Sequence, residues 1–455
     1  MPSVSSVLWR SCLGLEHVGA GAHSPALCFG FFSSLRPSEP FLTAFLLGPD
    51  HNLTEEQVVN EIYPVWTYSY LALLLPIFLA TDYLCYKPVL VLQATSLVVT
   101  YARGLLAMQL LEFFFGLATA SEVAYYSYIY SVVEPAHYQK VTGYCRSVTL
   151  FGSAAGSLTG QLLLSLAKVR LVHLVIITLA SSAVAFIAPW FLPMPKRSLF
   201  FHMGAGEGGL RSSTALSSET GSQGSGFVKV LRILFDDFLQ CYRSGPLLAW
   251  SLWWALATCG YFQVVNYAQA LWENVRPSQD YEIYNGYVET LSTLLGEGAD
   301  SSGALAALLV GCLPLSWTQW GELALCVLSL LMAVCVFVMD TVRNIWMCYA
   351  SYIFFRATYM LLITMATYQI AASLSMQRYA LVFGVNTFMA LLLQSLLTVV
   401  VVDSFLIYGC YFAVISLVFL LAGVYKLASR RRCRQGGADS PESDSPSTQD
   451  ASSTR

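Results

Sequence analysis

Two glutamates pose the chemical question. Glu112 and Glu122 lie in the run 108–133, MQLLEFFFGLATASEVAYYSYIYSVV. That run is long enough to cross a bilayer as a helix, which takes about 20 residues. On a 3.6-residue period Glu112, Phe115, Thr119, Glu122 and Tyr126 fall within an arc of roughly 80°. They make one acidic, aromatic stripe on an otherwise lipid-compatible rod. An ionised carboxylate at mid-membrane depth costs about 2.5–3.5 kcal/mol or more, so such groups face a bundle interior, a partner or a water-filled cavity. Either the stripe lines the site of a cationic solute, or both glutamates are held in structural hydrogen bonds and ion pairs.

Other residues could share that chemistry. Tyr63, Trp66 and Tyr70 recur at i, i+3, i+7 and so lie on one helix face. Such a face is either an interfacial belt or one wall of a cation–π cage. Trp253, Trp254, Tyr261, Gln263 and Asn266 give another run an aromatic, amide-rich surface. Asn266 there could bind an amine-bearing ring or bridge two helices. Gln369 and Gln394 are further neutral polar candidates. Arg356 is the basic residue well inside an apolar run, and is expected either to meet a ligand or to pair with Glu122. Glu112 and Glu122 against Arg356 leave an acidic balance, which favours a cation over a dianion.

The elements that carry these residues are membrane helices. Of the 455 residues 56% are hydrophobic and 11% charged, where soluble domains carry about 25% charged residues. The chain is therefore expected to be an all-α polytopic membrane protein in contact with the lipid bilayer. A net charge of −3 and the lack of a basic patch in a folded segment speak against nucleic acid. Most of the twelve cysteines lie in or beside apolar runs, and none forms a CxxC or a Cys/His metal spacing, so no metal site is expected. There is no phosphate loop, no HExxH and no nucleophile–base pair. An enzyme or a hydrolysis-driven pump is thus disfavoured, and no cofactor is expected.

About twelve spans are legible, in a 6+6 arrangement. Residues 1–24 are an irregular segment, without the clean apolar core of a signal peptide. The first half covers 25–193. Its first span is interrupted by Arg36-Pro37-Ser38-Glu39-Pro40, which reads as a broken helix lining a cavity or as an ordinary helix end. Further spans are expected at 61–81, 88–101, 108–133, 148–167 and 171–192, with a charged turn from Asp82 to Lys87. A Gly/Ser-rich linker, 194–245, separates the second half, 246–428, with spans at 246–271, 284–315, 321–339, 345–374, 379–402 and 405–427. GEGADSSG interrupts the eighth span, and 429–455 is a Ser/Asp/Pro-rich tail expected to be disordered. The sequon Asn52-Leu53-Thr54 marks a glycosylated extracellular loop. The Lys/Arg excess on the linker's side puts both termini in the cytoplasm. This is the major-facilitator plan, with a solute site at mid-depth between the halves.

Several stretches also resemble a known family. FSSLRPSEPF at 32–41, NEIYPVWTYSY at 60–70, AYYSYIYSVV at 124–133, GYCRSVTL at 143–150 and YALVFGVNTF at 379–388 are similar to the folate/thiamine carriers, solute carrier family 19. CGYFQVVNY at 259–267 and CYASY at 348–352 are most similar to the thiamine branch. The resemblance implies plasma-membrane uptake of a vitamin by alternating access. The folate branch has an arginine where this chain has Glu122 and a lysine where it has Gln394, and shares the basic residue matching Arg356. It thereby implies thiamine, a thiazolium cation, as the transported substrate, with a folate carrier or a non-transporting sensor as rivals. Carried over by position, Glu112 meets the aminopyrimidine, Tyr63 and Trp66 form an aromatic wall, Asn266 is an amide partner and Glu39 a cavity acid. Phe115 stands where thiamine members have tyrosine, keeping the ring and losing the hydroxyl. Family analogy adds pyridoxine as a second substrate. Proton exchange at Glu112 or Glu122 is a possible coupling, since carboxylates at membrane depth titrate upward.

Overall fold

The computed structural model describes residues 23–49, 51–83, 87–98, 104–132, 138–192, 245–296, 317–372, 376–400 and 405–438. Most of the N-terminal segment, the linker, GEGADSSG beyond Gly296 and the tail beyond 438 lie outside the described residues. Thirteen α-helices and no strands are present among those described: α1 (His23–Ser34), α2 (Leu42–Leu47), α3 (Tyr63–Tyr83), α4 (Lys87–Val98), α5 (Leu105–Val132), α6 (Tyr138–Ser165), α7 (Leu171–Ile187), α8 (Gly245–Val275), α9 (Asn285–Gly296), α10 (Trp317–Thr341), α11 (Ile345–Ala372), α12 (Met376–Val400) and α13 (Leu406–Ala438). Because α1 and α2 are two pieces of one interrupted span, the helices form twelve rods. Five helices contain stretches long and apolar enough to cross a membrane: 105–122, 171–191, 321–341, 382–399 and 406–429. The fifth rod begins at Tyr138, ten residues before the hydropathy of 148–167 indicates, because GYCRS is polar yet still helical.

The first span is broken. After Ser34 the chain turns, makes one 3-10 turn over Glu39–Phe41 and resumes as α2. A break at membrane depth frees backbone groups that lipid cannot satisfy. Side chains from other helices take them up. Ser181 of α7 donates to the Phe32 carbonyl at 2.8 Å, and the Ser38 N–H donates to Thr178 Oγ1 of α7 at 3.2 Å. Asn285 of α9 donates to the Pro40 carbonyl at 3.1 Å. Gln269 of α8 donates to the Glu39 carbonyl at 3.0 Å. Arg36 bends back to the Ser33 carbonyl at 2.8 Å and faces Glu39 at 3.7 Å.

Helix α6 makes room for this segment. A Cβ at Gly156 would lie 2.7 Å from the Arg36 nitrogen, and one at Gly160 would strike the Pro37 carbonyl oxygen. Both obstacles are backbone, which cannot rotate aside as a side chain can.

Between α1–α7 and α8–α13 the packing runs mainly along α6 with α9 and α3 with α12. The second set has its own core around Trp253, Trp272, Tyr352, Phe355 and Phe412, all fully buried. Tyr261 stacks on Tyr359 at 3.9 Å, and the Trp253 indole donates to Ser329 at 3.0 Å. Trp253, Tyr261 and Gln263 thus belong to packing, which corrects their reading as a polar surface of α8. Only Trp254 and Asn266 of that group are half-buried.

The close approach yields a prediction. Gly156→Val should force α6 from the broken segment and cost about 1–3 kcal/mol, as overpacking does. Thermal unfolding of the purified protein in detergent should fall by several degrees, while Ser153→Ala, half-buried on the same helix, should barely move it.

Candidate functional site

Helices α3, α5 and α8 carry most of the expected residues. Tyr63 opens α3 behind a π turn, Gln57–Ile62, and is buried. Its hydroxyl lies 2.5 Å from Thr43 Oγ1 of α2, and its ring stands edge-on to Tyr267 of α8 at 6.0 Å. Glu112 of α5 is near enough to Tyr63 and to Glu39 for its charge to act on both. Glu112 is only 6% exposed, and no hydrogen bond or ion pair reaches its carboxylate among the described residues. Trp66, one turn beyond Tyr63, donates to Thr119 Oγ1 at 3.3 Å and meets the Phe262 ring edge-on at 5.9 Å. Asn266 follows Phe262 by one turn on the same face of α8, half-buried, with no hydrogen bond to its amide among the described residues. Tyr63 and Trp66 thus meet the second set through Tyr267 and Phe262, and Glu112 lies within electrostatic reach of Tyr63 and Glu39.

The stripe on α5 divides electrostatically. Glu122 is exposed on its helix, within reach of the Arg36 and Arg146 guanidinium groups. Phe115 also faces Arg36, whose guanidinium carbon stands 5.0 Å from the ring centroid. Glu122 and Phe115 thus have cationic neighbours from the protein itself, and Glu112 has none among the described residues. The Tyr126 side chain and the Asp82 side chain lie outside the described residues.

Arg356 does not pair with Glu122. It forms an ion pair with Glu289 of α9 and also donates to Ser292 at 3.0 Å. Tyr352 donates to the other Glu289 oxygen at 2.8 Å. Sequence reasoning passed over Glu289, although a carboxylate five residues into an apolar run carries the same signal as Glu112. The pairing removes Arg356 from the charge balance. Gln394 is fully buried and reaches Thr67 of α3 at 3.2 Å, a bridge between the two sets. Thr43 and Gln269 were also missed, since a threonine and a glutamine near helix ends give no pattern in sequence.

The polar contacts between the two sets gather at the end bearing Asn52, here the sequon end. Asn52 itself is exposed, with φ +52°. Lys168 pairs with Glu282 at 2.6 Å, and Tyr284 donates to the same carboxylate at 3.1 Å. Asn274 donates to Glu55 at 2.5 Å. Gln161 of α6 donates to the Ile283 carbonyl at 2.8 Å and accepts from the Gly286 N–H at 2.9 Å. A cavity of about 390 Å³ opens at this end, lined by Phe45, Leu164, Lys168, Arg170, Tyr281 and Glu282 among others. None of the expected site residues lines it. The hydrogen bonds from Lys168 and Tyr284 hold Glu282 below the usual carboxylate range.

Two helix sets of six rods each among the described residues, with a broken first span, make a polytopic bundle of the major-facilitator fold. Solved structures agree on the fold. A bacterial homologue of the human lysosomal transporter Spinster, inward-facing and unoccupied, superimposes with a TM-score of 0.57 at 13% identity over 93% of this chain and 97% of that one. The nucleoside transporter NupG gives 0.56 at 12% identity over 88% and 98%. The reduced folate carrier family model matches residues 24–412, and the chain belongs to that family. Thiamine transporter 1 of Mus musculus is 54% identical over 91% of this chain and 92% of its own length, and that of Homo sapiens is likewise 54% identical over 92% of each. The reduced folate transporter of Homo sapiens is 39% identical over 90% of this chain and 73% of its own. Family membership makes the chain a carrier and not an enzyme.

Two predictions arise from these ion pairs. Glu289→Gln removes the counter-charge of a buried guanidinium and should cost about 3–5 kcal/mol. Its thermal unfolding temperature should drop well below that of Glu55→Gln, which alters only an exposed contact. The second concerns pH. Because the folded pKa of Glu282 is depressed, its link to Lys168 is fully present above the ordinary carboxylate value and is lost as pH falls through the folded one. Between pH 7 and pH 5, Glu282→Gln should therefore leave the shape of the uptake–pH curve unchanged.

Proposed function

We propose that this chain is a plasma-membrane carrier that takes up thiamine by alternating access, with Asn52 glycosylated outside and both termini in the cytoplasm. One observation carries the reading: Glu112 is a buried carboxylate without a basic partner among the described residues, within electrostatic reach of Tyr63, and Trp66 stands one turn beyond Tyr63. Such a setting rewards a ligand that brings its own positive charge, an aromatic body and N–H donors. Thiamine has all three. The relatives with the higher identities are named thiamine transporters, which supports the same choice over folate.

In this mechanism the aminopyrimidine donates to Glu112 while the thiazolium lies against Trp66 and Tyr63. Asn266 and Glu39 complete the polar contacts from opposite sets. A desolvated cation–π contact contributes about 2 kcal/mol and a charge-assisted hydrogen bond about 1.5–3 kcal/mol. These fall short of the roughly 8 kcal/mol of a micromolar complex, so the apolar walls supply the remainder. The six-rod sets then rock around the occupied site. Glu122, flanked by Arg36 and Arg146, serves the balance of charge around the broken segment. The Phe115 ring, already faced by Arg36, fixes that guanidinium away from the cation.

Labelled thiamine uptake in transporter-null cells tests the assignment. Glu112→Gln should raise KM about tenfold to a hundredfold at equal surface expression, the loss expected for one charge-assisted hydrogen bond. Glu122→Gln should change KM less than about threefold. Excess unlabelled thiamine should compete and excess folate should not. Unchanged uptake in Glu112→Gln, or competition by folate alone, would refute the proposal.

A further inference from the structure

Gln269 sits on α8, half-buried, in the turn beyond Asn266 and Tyr267. Its side-chain oxygen accepts from the Thr43 N–H at 3.3 Å and from the Thr43 hydroxyl at 3.4 Å. Its amide nitrogen donates to the Glu39 carbonyl at 3.0 Å. The orientation of the amide is fixed by these partners, because a flipped group would set N–H against N–H at Thr43. With the Thr43 hydroxyl donating to Gln269, the 2.5 Å contact to Tyr63 is a hydrogen bond from Tyr63 to Thr43.

A directed chain therefore runs Tyr63 to Thr43 to Gln269, and Gln269 returns to the backbone of Glu39. Its two ends are a wall of the site and one of its acids. Its middle crosses from one helix set to the other. No other side chain described here bonds the second set to the broken span at two separate residues. The contacts exist only while α8 stands against α2, so they form and break with the sequon end.

We propose that Gln269 is the positioning residue that couples site occupancy to closure of the sequon end. A ligand against Tyr63 and Glu39 orders α2 and presents Thr43 to the amide; an empty site leaves α2 less ordered and the amide held less firmly. Gln269 itself touches no substrate in this account. The proposal rests on the site described under Proposed function, with the sequon end facing out.

Ser157 provides a reporter. It is buried on the α6 face that meets α9, where its carbonyl lies against Gly286. A cysteine at Ser157, with the exposed Cys410 changed to serine, is reached from outside by a membrane-impermeant maleimide only when α6 and α9 part. Thiamine should slow labelling of this parent chain. Adding Gln269→Ala should raise ligand-free labelling at least threefold and abolish the slowing by thiamine, while thiamine still raises the unfolding temperature of the purified variant. Thr43→Val should do the same, and the double variant should label no faster than either single one, as expected for members of one network. Should Gln269→Ala not reach the membrane, Gln269→Glu keeps the acceptor for Thr43, lacks the donor to Glu39 and should also label faster. Labelling of the Gln269 variant at the parent rate, or multiplied effects in the double variant, would overturn the coupling. Failure of thiamine to slow the parent or stabilise any chain would overturn the site reading, with the clasp then judged from ligand-free labelling.

Discussion

A membrane interior offers no water to a backbone group that loses its helical partner. The first span is broken at 35–38, and the resulting carbonyls and N–H groups have to be met by side chains. Ser181 and Thr178 come from α7 of the same set, Gln269 and Asn285 from α8 and α9 of the other. The break is thus a point where the two sets must touch for the backbone to be satisfied. An unbroken helix would have needed none of these partners.

The same break distributes charge. It sets Arg36 beside Glu39, where Arg36 stands over Phe115 and within reach of Glu122. Those two members of the α5 stripe are compensated from within. Arg356 is compensated by Glu289 on the far set. Glu112 is buried and faces no base among the described residues, so of Glu112, Glu122 and Glu289 it is the one without a compensating charge there.

Much of this was legible in the chain. The composition and the spans gave the all-α membrane fold, and the Pro-Ser-Glu-Pro turn gave the break, because hydropathy and proline act locally. The spacing of Tyr63 and Trp66 on one helix and of Glu112 and Phe115 on another could be read, since a helical period suffices to put residues on a shared face. The reading failed where it depended on which helix lies opposite. Trp253, Tyr261 and Gln263 looked like part of an aromatic, amide-rich surface and are packing; Arg356 was expected either at a ligand or beside Glu122 and lies beside Glu289.

The sequence by itself determined the solvent, the helices, the interrupted first span and the stripe of acids and rings, all of which follow from residue type and a 3.6-residue period. The tertiary structure decided which acid remains unpaired among the described residues and which residues bridge the sets. Those properties depend on neighbours 60 to 330 residues apart, such as Glu289 with Arg356 and Thr67 with Gln394. No periodicity spans such distances. Only the packing of rod against rod fixes them.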